Sequence, residues 1–172
     1  MAALAALGVA DAELALCPDG FDAANVELLR GRALRLAGDL AGACTAALAA
    51  VALARELRPG ERERLLVQGL CDAADVERER GRLAPGAAMI EEALGLARAH
   101  LGELDPDTAS AWNSAGLWRR YRGELGAAQT AYRRTLRVYA HLEDRPGQAA
   151  VLHNLASTEH LSGDAAAARA AV

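Results

Sequence analysis

Four cationic side chains recur at one place in a repeating pattern, three residues before a glycine. They are Arg35, Arg78, Arg120 and His160. Guanidinium groups donate paired hydrogen bonds to carboxylates and phosphates, so a row of them predicts a strip that binds an acidic peptide. The C-terminal ends of helices favour cations whatever the function, which is an equally weighted alternative. Asp72, Asp75 and Glu79 interrupt the strip and are equally able to pair with the neighbouring arginines.

Catalytic and metal chemistry find little support in the same region. His153 and His160 lie seven residues apart and Cys71 is a candidate neighbour, but no third ligand has a useful metal-binding spacing. Ser157 stands three residues before His160 without the G-x-S-x-G turn that would make it a nucleophile. All 19 basic residues are arginine, which excludes a P-loop lysine and a Schiff-base lysine. The sequence therefore predicts no enzyme activity, no cofactor and no metal.

The composition predicts that helices position these side chains. The 172 residues include 43 alanines and 27 leucines, whereas isoleucine, valine and threonine together supply only 14. Alanine and leucine are among the best helix formers, and the β-branched and aromatic residues that fill strands are scarce, so an all-α fold is predicted. The net charge of −4 gives no reason to expect nucleic acid as a partner.

A repeat of 40 to 43 residues organises the predicted helices. Its marker is a turn glycine, found at Gly38, Gly81, Gly123 and Gly163. Helix-forming residues precede each glycine and another amphipathic run follows it, so each unit is predicted to be helix, tight turn, helix. Small residues recur seven before and five after the glycine, where two helices would pack closely. These are Gly31, Ala74, Gly116 and Ala156, and Ala43, Gly86, Ala128 and Ala168.

A family resemblance is carried mainly by the third unit and in part by the fourth. The residues are Leu101-Gly102, Pro106-Asp107-Thr108-Ala109, Asn113, Gly116, Arg119, Gly123, Ala128, Tyr132-Arg133-Arg134-Thr135-Leu136 and Leu152-His153-Asn154-Leu155-Ala156. With them, residues 22–172 resemble a tetratricopeptide repeat array, and the third unit resembles the longer kinesin-light-chain type of that repeat. The resemblance implies a right-handed α-solenoid of antiparallel helix pairs. Glu27 and Arg30 depart from the pattern, because apolar residues are commoner at both positions.

The predicted organisation is a single array covering residues 1–172. It comprises an N-terminal helix in residues 1–20 and four repeats at 21–60, 61–104, 105–144 and 145–172, the last of them truncated. Helix-breaking residues mark the predicted joints between units. They are Pro18-Asp19-Gly20, Pro59-Gly60, Asp105-Pro106 and Arg145-Pro146-Gly147.

The first helices of successive pairs are predicted to line a concave groove, where the resemblance implies a bound peptide or partner helix. The predicted groove residues are Arg32, Arg35, Cys71, Asp75, Arg78, Asn113, Leu117, Arg120, Tyr121, His153, Asn154, Ser157 and His160. The resemblance implies that Asn113 and Asn154 contact the ligand's main chain, and an amide suits this role because it both donates and accepts. Trp112 is predicted to be core, whereas Tyr121 is a candidate aromatic anchor in the groove.

We therefore predict a non-enzymatic protein–protein interaction scaffold, with an acidic peptide as one candidate ligand. Two alternatives stay open: an interaction or sensor module that is a fragment of a larger bacterial regulator or enzyme, and a structural homodimer formed through an open C-terminal end. The N-terminus has no basic residue before Arg30, and the longest apolar run, Leu40 to Ala54, is shorter than the roughly 20 residues that span a bilayer. The expected location is the cytoplasm, with no membrane and no nucleic acid as partner.

Overall fold

Helices form almost all of the described chain. The computed structural model describes the backbone of residues 20–170 and the side chains of residues 20–163. The helices are α1 Gly20–Ala37, α2 Leu40–Arg55, α3 Arg62–Glu79, α4 Leu83–Leu96, α5 Pro106–Tyr121, α6 Leu125–His141 and α7 Arg145–Ala170, and Ala97–Leu101 forms a π-helical turn after α4. No strand occurs within residues 20–170, which confirms the predicted all-α fold class. Over the same residues, no helix has both the length and the apolar character needed to cross a membrane.

The described helices form two compact units, one that ends at Leu101 and one that starts at Gly102. In the first unit α1 packs on α2, α2 on α3 and α3 on α4, while α1 also contacts α3. In the second unit α5 packs on α6 and α6 on α7, while α5 also contacts α7. Short turns join the two helices of each pair, so neighbouring helices run antiparallel. The first helices of successive pairs, α1 and α3 in the first unit and α5 and α7 in the second, also contact each other.

Glycines end the helices at three of the four predicted turns. Gly38, Gly81 and Gly123 have φ angles of 86°, 74° and 77°, a left-handed conformation that a residue without a Cβ adopts easily. The predicted turn at Gly163 is wrong, because α7 runs without a break from Arg145 to Ala170. Alanine-rich sequence after Gly163 favours continued helix, and one glycine inside a helix costs only about 1 kcal/mol relative to alanine. The predicted N-terminal helix lies outside the described residues, which start at residue 20.

Small residues bring α1 and α2 of the first unit into close contact. A Cβ atom on Gly31 would lie 3.2 Å from the carbonyl oxygen of Ala43, and Ala43 itself is buried. The next interface is equally close, since a Cβ atom on Gly69 would lie 2.7 Å from Cγ2 of Val51. Protein interiors have few gaps, so a larger residue at these positions would force the helices apart. The predicted need for small residues at Gly31 and Ala43 is confirmed.

Tyr132 occupies the centre of the second unit. Its side chain is fully buried and packs with Val151 of α7. Gly116 on α5 leaves room for the ring, because a Cβ atom there would lie 2.5 Å from Cε1 of Tyr132. One turn further along α6, the fully buried Thr135 donates its hydroxyl to the carbonyl oxygen of Ala109 at 3.3 Å, so this polar group is satisfied inside the core.

The two departures from the repeat pattern in α1 form an ion pair with each other. Glu27 is only 6% exposed, and its Oε1 lies 3.4 Å from Nη1 of Arg30, one turn along the helix. A buried carboxylate without a cationic partner would be costly, so Arg30 offsets the charge that Glu27 brings into an apolar position.

Candidate ligand surfaces

In the first unit, the predicted arginines of α1 are paired with carboxylates of α3. Nε of Arg32 donates to Oδ2 of Asp72 at 2.7 Å. The guanidinium of Arg35 donates to both carboxylate oxygens of Glu79, with Nε at 3.1 Å from Oε1 and 3.2 Å from Oε2. The hydrogen bond to Glu79 raises the pKa of Arg35 above its ordinary value, against the lowering effect of burial. Both guanidiniums are therefore engaged by the neighbouring helix.

The third arginine of this group, Arg78, is held by carboxylates of its own helix. Its Nε lies 3.8 Å from Oδ1 of Asp75 and its Nη2 lies 3.6 Å from Oε1 of Glu79. The side chains of Arg78 and Asp75 are only 19% and 14% exposed. The predicted groove arginines of the first unit thus belong to an ion-pair network. Pairing with the acidic residues of α3 was the alternative that the sequence indicated.

Cys71 is buried in the first unit, which corrects its predicted place in an open groove. Its side chain is 6% exposed. Val67 and Ala74 lie four residues before and three after it on α3, and both are also buried. Residues at this spacing share one helix face, so Cys71 belongs to the apolar stripe that packs into the core.

A buried carboxylate, Glu77, joins three side chains near the C-terminal end of α3. Its Oε1 accepts hydrogen bonds from Nη2 of Arg82 at 2.6 Å, Nη1 of Arg80 at 3.1 Å and Sγ of Cys44 at 3.0 Å. Burial opposes ionisation of Glu77, but the hydrogen bonds from Arg82 and Cys44 outweigh it and lower its pKa. Burial, followed by the bond to Glu77, raises the pKa of Cys44, so this thiol is a protonated donor and a poor nucleophile. The cluster therefore ties α2 to the end of α3.

In the second unit, two predicted site residues meet across neighbouring helices. Nδ2 of Asn154 on α7 lies 3.5 Å from Oδ1 of Asn113 on α5. Both side chains are half-buried, and the two residues are separated by 41 positions in the sequence. The repeat register predicted that both would face the same surface, and this contact brings them together.

The following turns of α5 add three more predicted site residues. Leu117 is half-buried and packs against the core cluster that contains Tyr132. Arg120 is half-buried, and within residues 20–163 no carboxylate pairs with its guanidinium. Tyr121 is 57% exposed at the end of the helix. This part of α5 therefore presents an available cation and an exposed aromatic ring.

The predicted site residues of α7 are less closely connected. His153 and His160 are both exposed. The hydroxyl of Ser157 donates to the carbonyl oxygen of His153 at 2.9 Å, so it is bonded within its own helix. The described part of the chain contains no group of three His, Cys, Asp or Glu side chains that could hold a metal ion.

The basic residues of α6 were not among the predicted site residues. The helix carries Arg133, Arg134, Arg137 and His141, all exposed, and has no acidic residue anywhere between Leu125 and His141. Nη2 of Arg133 lies 3.1 Å from Oε1 of Glu159 on α7. Arg134 and Arg137 have no carboxylate partner within residues 20–163. The sequence carried a signal for this surface, because four basic residues stand in one helix that has no acidic residue.

Trp112 links the basic residues of α6 to α5. The side chain is 9% exposed, which confirms the prediction that it belongs to the core. The guanidinium carbon of Arg134 lies 4.5 Å from the centroid of the indole ring, and that of Arg119 lies 5.8 Å from the same centroid. Both distances are within the range of cation–π attraction, so two cations of different helices are held beside one ring.

Comparison with known proteins supports the helical-repeat architecture. Residues 107–172 match the family model for tetratricopeptide repeats. No curated protein sequence matches the chain. The chain is similar in structure to BtubC (BKLC) from P. vanneervenii, with a TM-score of 0.71 and 18% sequence identity over 90% of this chain and 62% of that one. The chain thus spans less than two thirds of the length of BtubC, and at this identity the likeness is one of fold.

The prediction of tetratricopeptide repeats is thereby confirmed for residues 107–172, and the structural likeness to BtubC (BKLC) supports the predicted repeat architecture. The sequence match covers the second unit from Asp107 onward, and the structural match extends the same fold over most of the chain. Residues 107–172 therefore match the tetratricopeptide repeat family, and the fold class of the chain is an all-α solenoid of antiparallel helix pairs.

Proposed function

We propose that this chain is a protein–protein interaction module without chemistry of its own. Tetratricopeptide repeats generally mediate interactions between proteins. The ligand in this proposal is a peptide or a partner helix, and it binds on the α5–α7 surface of the second unit. That surface is defined by Asn113, Leu117, Arg120, Tyr121 and Asn154.

The observation that carries the proposal is the contact between the amides of Asn113 and Asn154. An asparagine side chain has two N–H donors and a carbonyl oxygen with two lone pairs. The single contact at 3.5 Å leaves further donor and acceptor capacity on both amides. A peptide main chain offers N–H and C=O groups in alternation, so a pair of half-buried amides is well suited to bind it irrespective of its side chains.

The neighbours of the two amides supply selectivity for ligand side chains. Arg120 has no carboxylate partner within residues 20–163, so it is available for an acidic group of a ligand. Tyr121, at 57% exposure, offers an aromatic ring of the type enriched at binding hot spots. The arginines of the first unit are less available because Asp72, Asp75 and Glu79 engage them.

The test uses peptides selected for binding to the intact chain from a random display library. The selected peptide is labelled with fluorescein, and its dissociation constant is measured by anisotropy for the wild type and for the double variant Asn113→Ala with Asn154→Ala. The matched control is Gln129→Ala, which removes a half-buried amide from α6.

Each lost hydrogen bond is worth about 0.5–1.5 kcal/mol, so the double variant should bind roughly tenfold more weakly. The Gln129→Ala control should bind as the wild type does. An unchanged affinity in a folded double variant would place the ligand elsewhere and contradict the proposal. An equal loss in the Gln129→Ala control would show that the effect is not specific to the α5–α7 surface.

A further inference from the structure

The charge distribution of α6 is one-sided in a way that the α5–α7 surface does not explain. Leu125–His141 contains three arginines and one histidine and no acidic residue. Only one of the arginines, Arg133, pairs with a carboxylate, that of Glu159, within the part of the chain whose side chains are described. Arg134 and Arg137 are exposed and keep their charge available. We call these two residues the α6 basic face.

The two guanidiniums of the α6 basic face are positioned for a shared ligand. Residues three apart lie on the same side of a helix, with Cβ atoms about 5–6 Å apart. Like charges at this distance raise the local positive potential, which attracts anionic groups. Within residues 20–163, no carboxylate pairs with Arg134 or Arg137 to offset this potential. The positive charge of the two guanidiniums is therefore not offset by a carboxylate in the part of the chain whose side chains are described.

Arg134 is also held in place before any ligand arrives. Its guanidinium carbon lies 4.5 Å from the centroid of the Trp112 ring, a stacking distance, while Trp112 itself is only 9% exposed and fixed in the core. An arginine whose side chain is already ordered loses less conformational entropy on binding. Arg119, beside the same ring, adds a third positive charge near this site.

We propose that the α6 basic face binds an acidic segment of a partner protein, with carboxylates spaced to meet Arg134 and Arg137. Guanidiniums bind carboxylates through paired, charge-assisted hydrogen bonds, which gives the ligand class. A protein ligand is favoured over nucleic acid because the whole chain carries a net charge of −4 and would repel an extended polyanion. The site is separate from the α5–α7 surface in the residues that form it, so either proposal can fail without the other.

The experiment titrates the full chain with a fluorescein-labelled synthetic peptide that carries glutamates three and four residues apart. A second peptide has glutamine at every glutamate position, and a short DNA duplex is a third probe. The test variant is Arg134→Gln with Arg137→Gln. The matched control is Arg122→Gln with Arg145→Gln, which removes the same number of positive charges from exposed positions in the second unit. Circular dichroism verifies that each variant is folded.

The glutamate peptide should bind more tightly than the glutamine peptide and the DNA, and added salt should weaken its binding. Arg134→Gln with Arg137→Gln should weaken it about tenfold, and the control pair by less than about twofold. If the double variant loses its fold, Arg137→Gln alone, which leaves the stack on Trp112 intact, should still weaken binding by about threefold. Equal binding of the two peptides, equal losses in both variant pairs, or tighter binding of DNA through the same arginines would each overturn the proposal.

Discussion

Replacing Glu77 with glutamine tests whether the ion cluster at the end of α3 stabilises the first unit. The Glu77 side chain is 3% exposed, and its Oε1 accepts hydrogen bonds from Arg80, Arg82 and Cys44. Glutamine keeps the size of the side chain but removes the negative charge. The two guanidiniums and the buried thiol of Cys44 would then have a neutral amide oxygen as acceptor in place of a carboxylate.

The expected size of the effect follows from the burial of the groups involved. Removing one partner of a fully buried ion pair costs about 3–5 kcal/mol, because the other charge is left without compensation. Here the side chain of Arg80 is 26% exposed and that of Arg82 is 52% exposed, so water can replace part of the lost interaction. We therefore expect Glu77→Gln to lower the free energy of unfolding by about 2 kcal/mol, below the fully buried case.

The assay is urea unfolding followed by circular dichroism at neutral pH, with Glu92→Gln as the matched control. Glu92 pairs with Arg55 at 2.9 Å in the same unit, but its side chain is 44% exposed. Exposed pairs contribute about 0–1 kcal/mol, so the control should change stability by less than about 0.5 kcal/mol. A Glu77→Gln variant as stable as the wild type, or a control that loses as much, would refute the role assigned to burial.

Two further perturbations test the packing and the charges separately. Gly116→Ala should destabilise the chain by about 1–2 kcal/mol, because the added Cβ would lie 2.5 Å from a ring carbon of the fully buried Tyr132. Gly126→Ala, where nothing lies within 4 Å, should stabilise it by about 0.5 kcal/mol, and thermal melting of the two variants should show opposite shifts. Acid should destabilise the first unit, because the folded-state pKa values of Glu63 and Glu77 are lowered: burial raises both, but the Gly60 N–H at Glu63 and the Arg82 guanidinium at Glu77 outweigh it. The stability that these two carboxylates contribute is fully present above the unfolded-state carboxyl pKa of 4.5, and it is lost as pH falls through their lowered folded-state pKa values. Urea unfolding midpoints measured across that range should therefore fall with pH. Midpoints that do not change with pH would contradict the stabilising role of Glu63 and Glu77.

The fold was predictable where the signal is local. A turn glycine followed by an amphipathic run places the helix ends at Gly38, Gly81 and Gly123, because the left-handed backbone there is needed whatever surrounds it. The same local signal failed at Gly163, where an alanine-rich sequence makes continuation of the helix favourable enough to absorb one glycine. Small residues such as Gly31 were also predictable, because helix pairs at close range exclude larger side chains.

The candidate ligand surface was predictable only for residues whose positions recur in the repeat. The register places Asn113 and Asn154 at adjacent positions of neighbouring first helices, and the two side chains do meet. It does not determine which carboxylate each arginine will choose, because that depends on side-chain reach across two helices, as in the pair of Arg35 and Glu79. The α6 basic face lies on the second helix of a pair, outside the columns that a groove of first helices defines.

The two proposed binding sites of the second unit contain different arginines on different helices. Arg120 belongs to α5, near the asparagine pair, whereas Arg134 stacks on Trp112 from α6. A ligand that contacts only one of them would perturb one set of resonances and leave the other unchanged. Assigned spectra of the intact chain therefore report both sites in one experiment.

The most direct measurement of the central claim is a titration of the uniformly nitrogen-15-labelled chain with a display-selected peptide, followed by two-dimensional NMR. The side-chain NH2 signals of Asn113 and Asn154 and the backbone signals of Arg120 and Tyr121 should shift in proportion to the bound fraction. Signals of the ion-paired residues of the first unit, such as Arg32, should stay in place. Shifts confined to the first unit, with the two asparagine amides unchanged at saturation, would contradict the account.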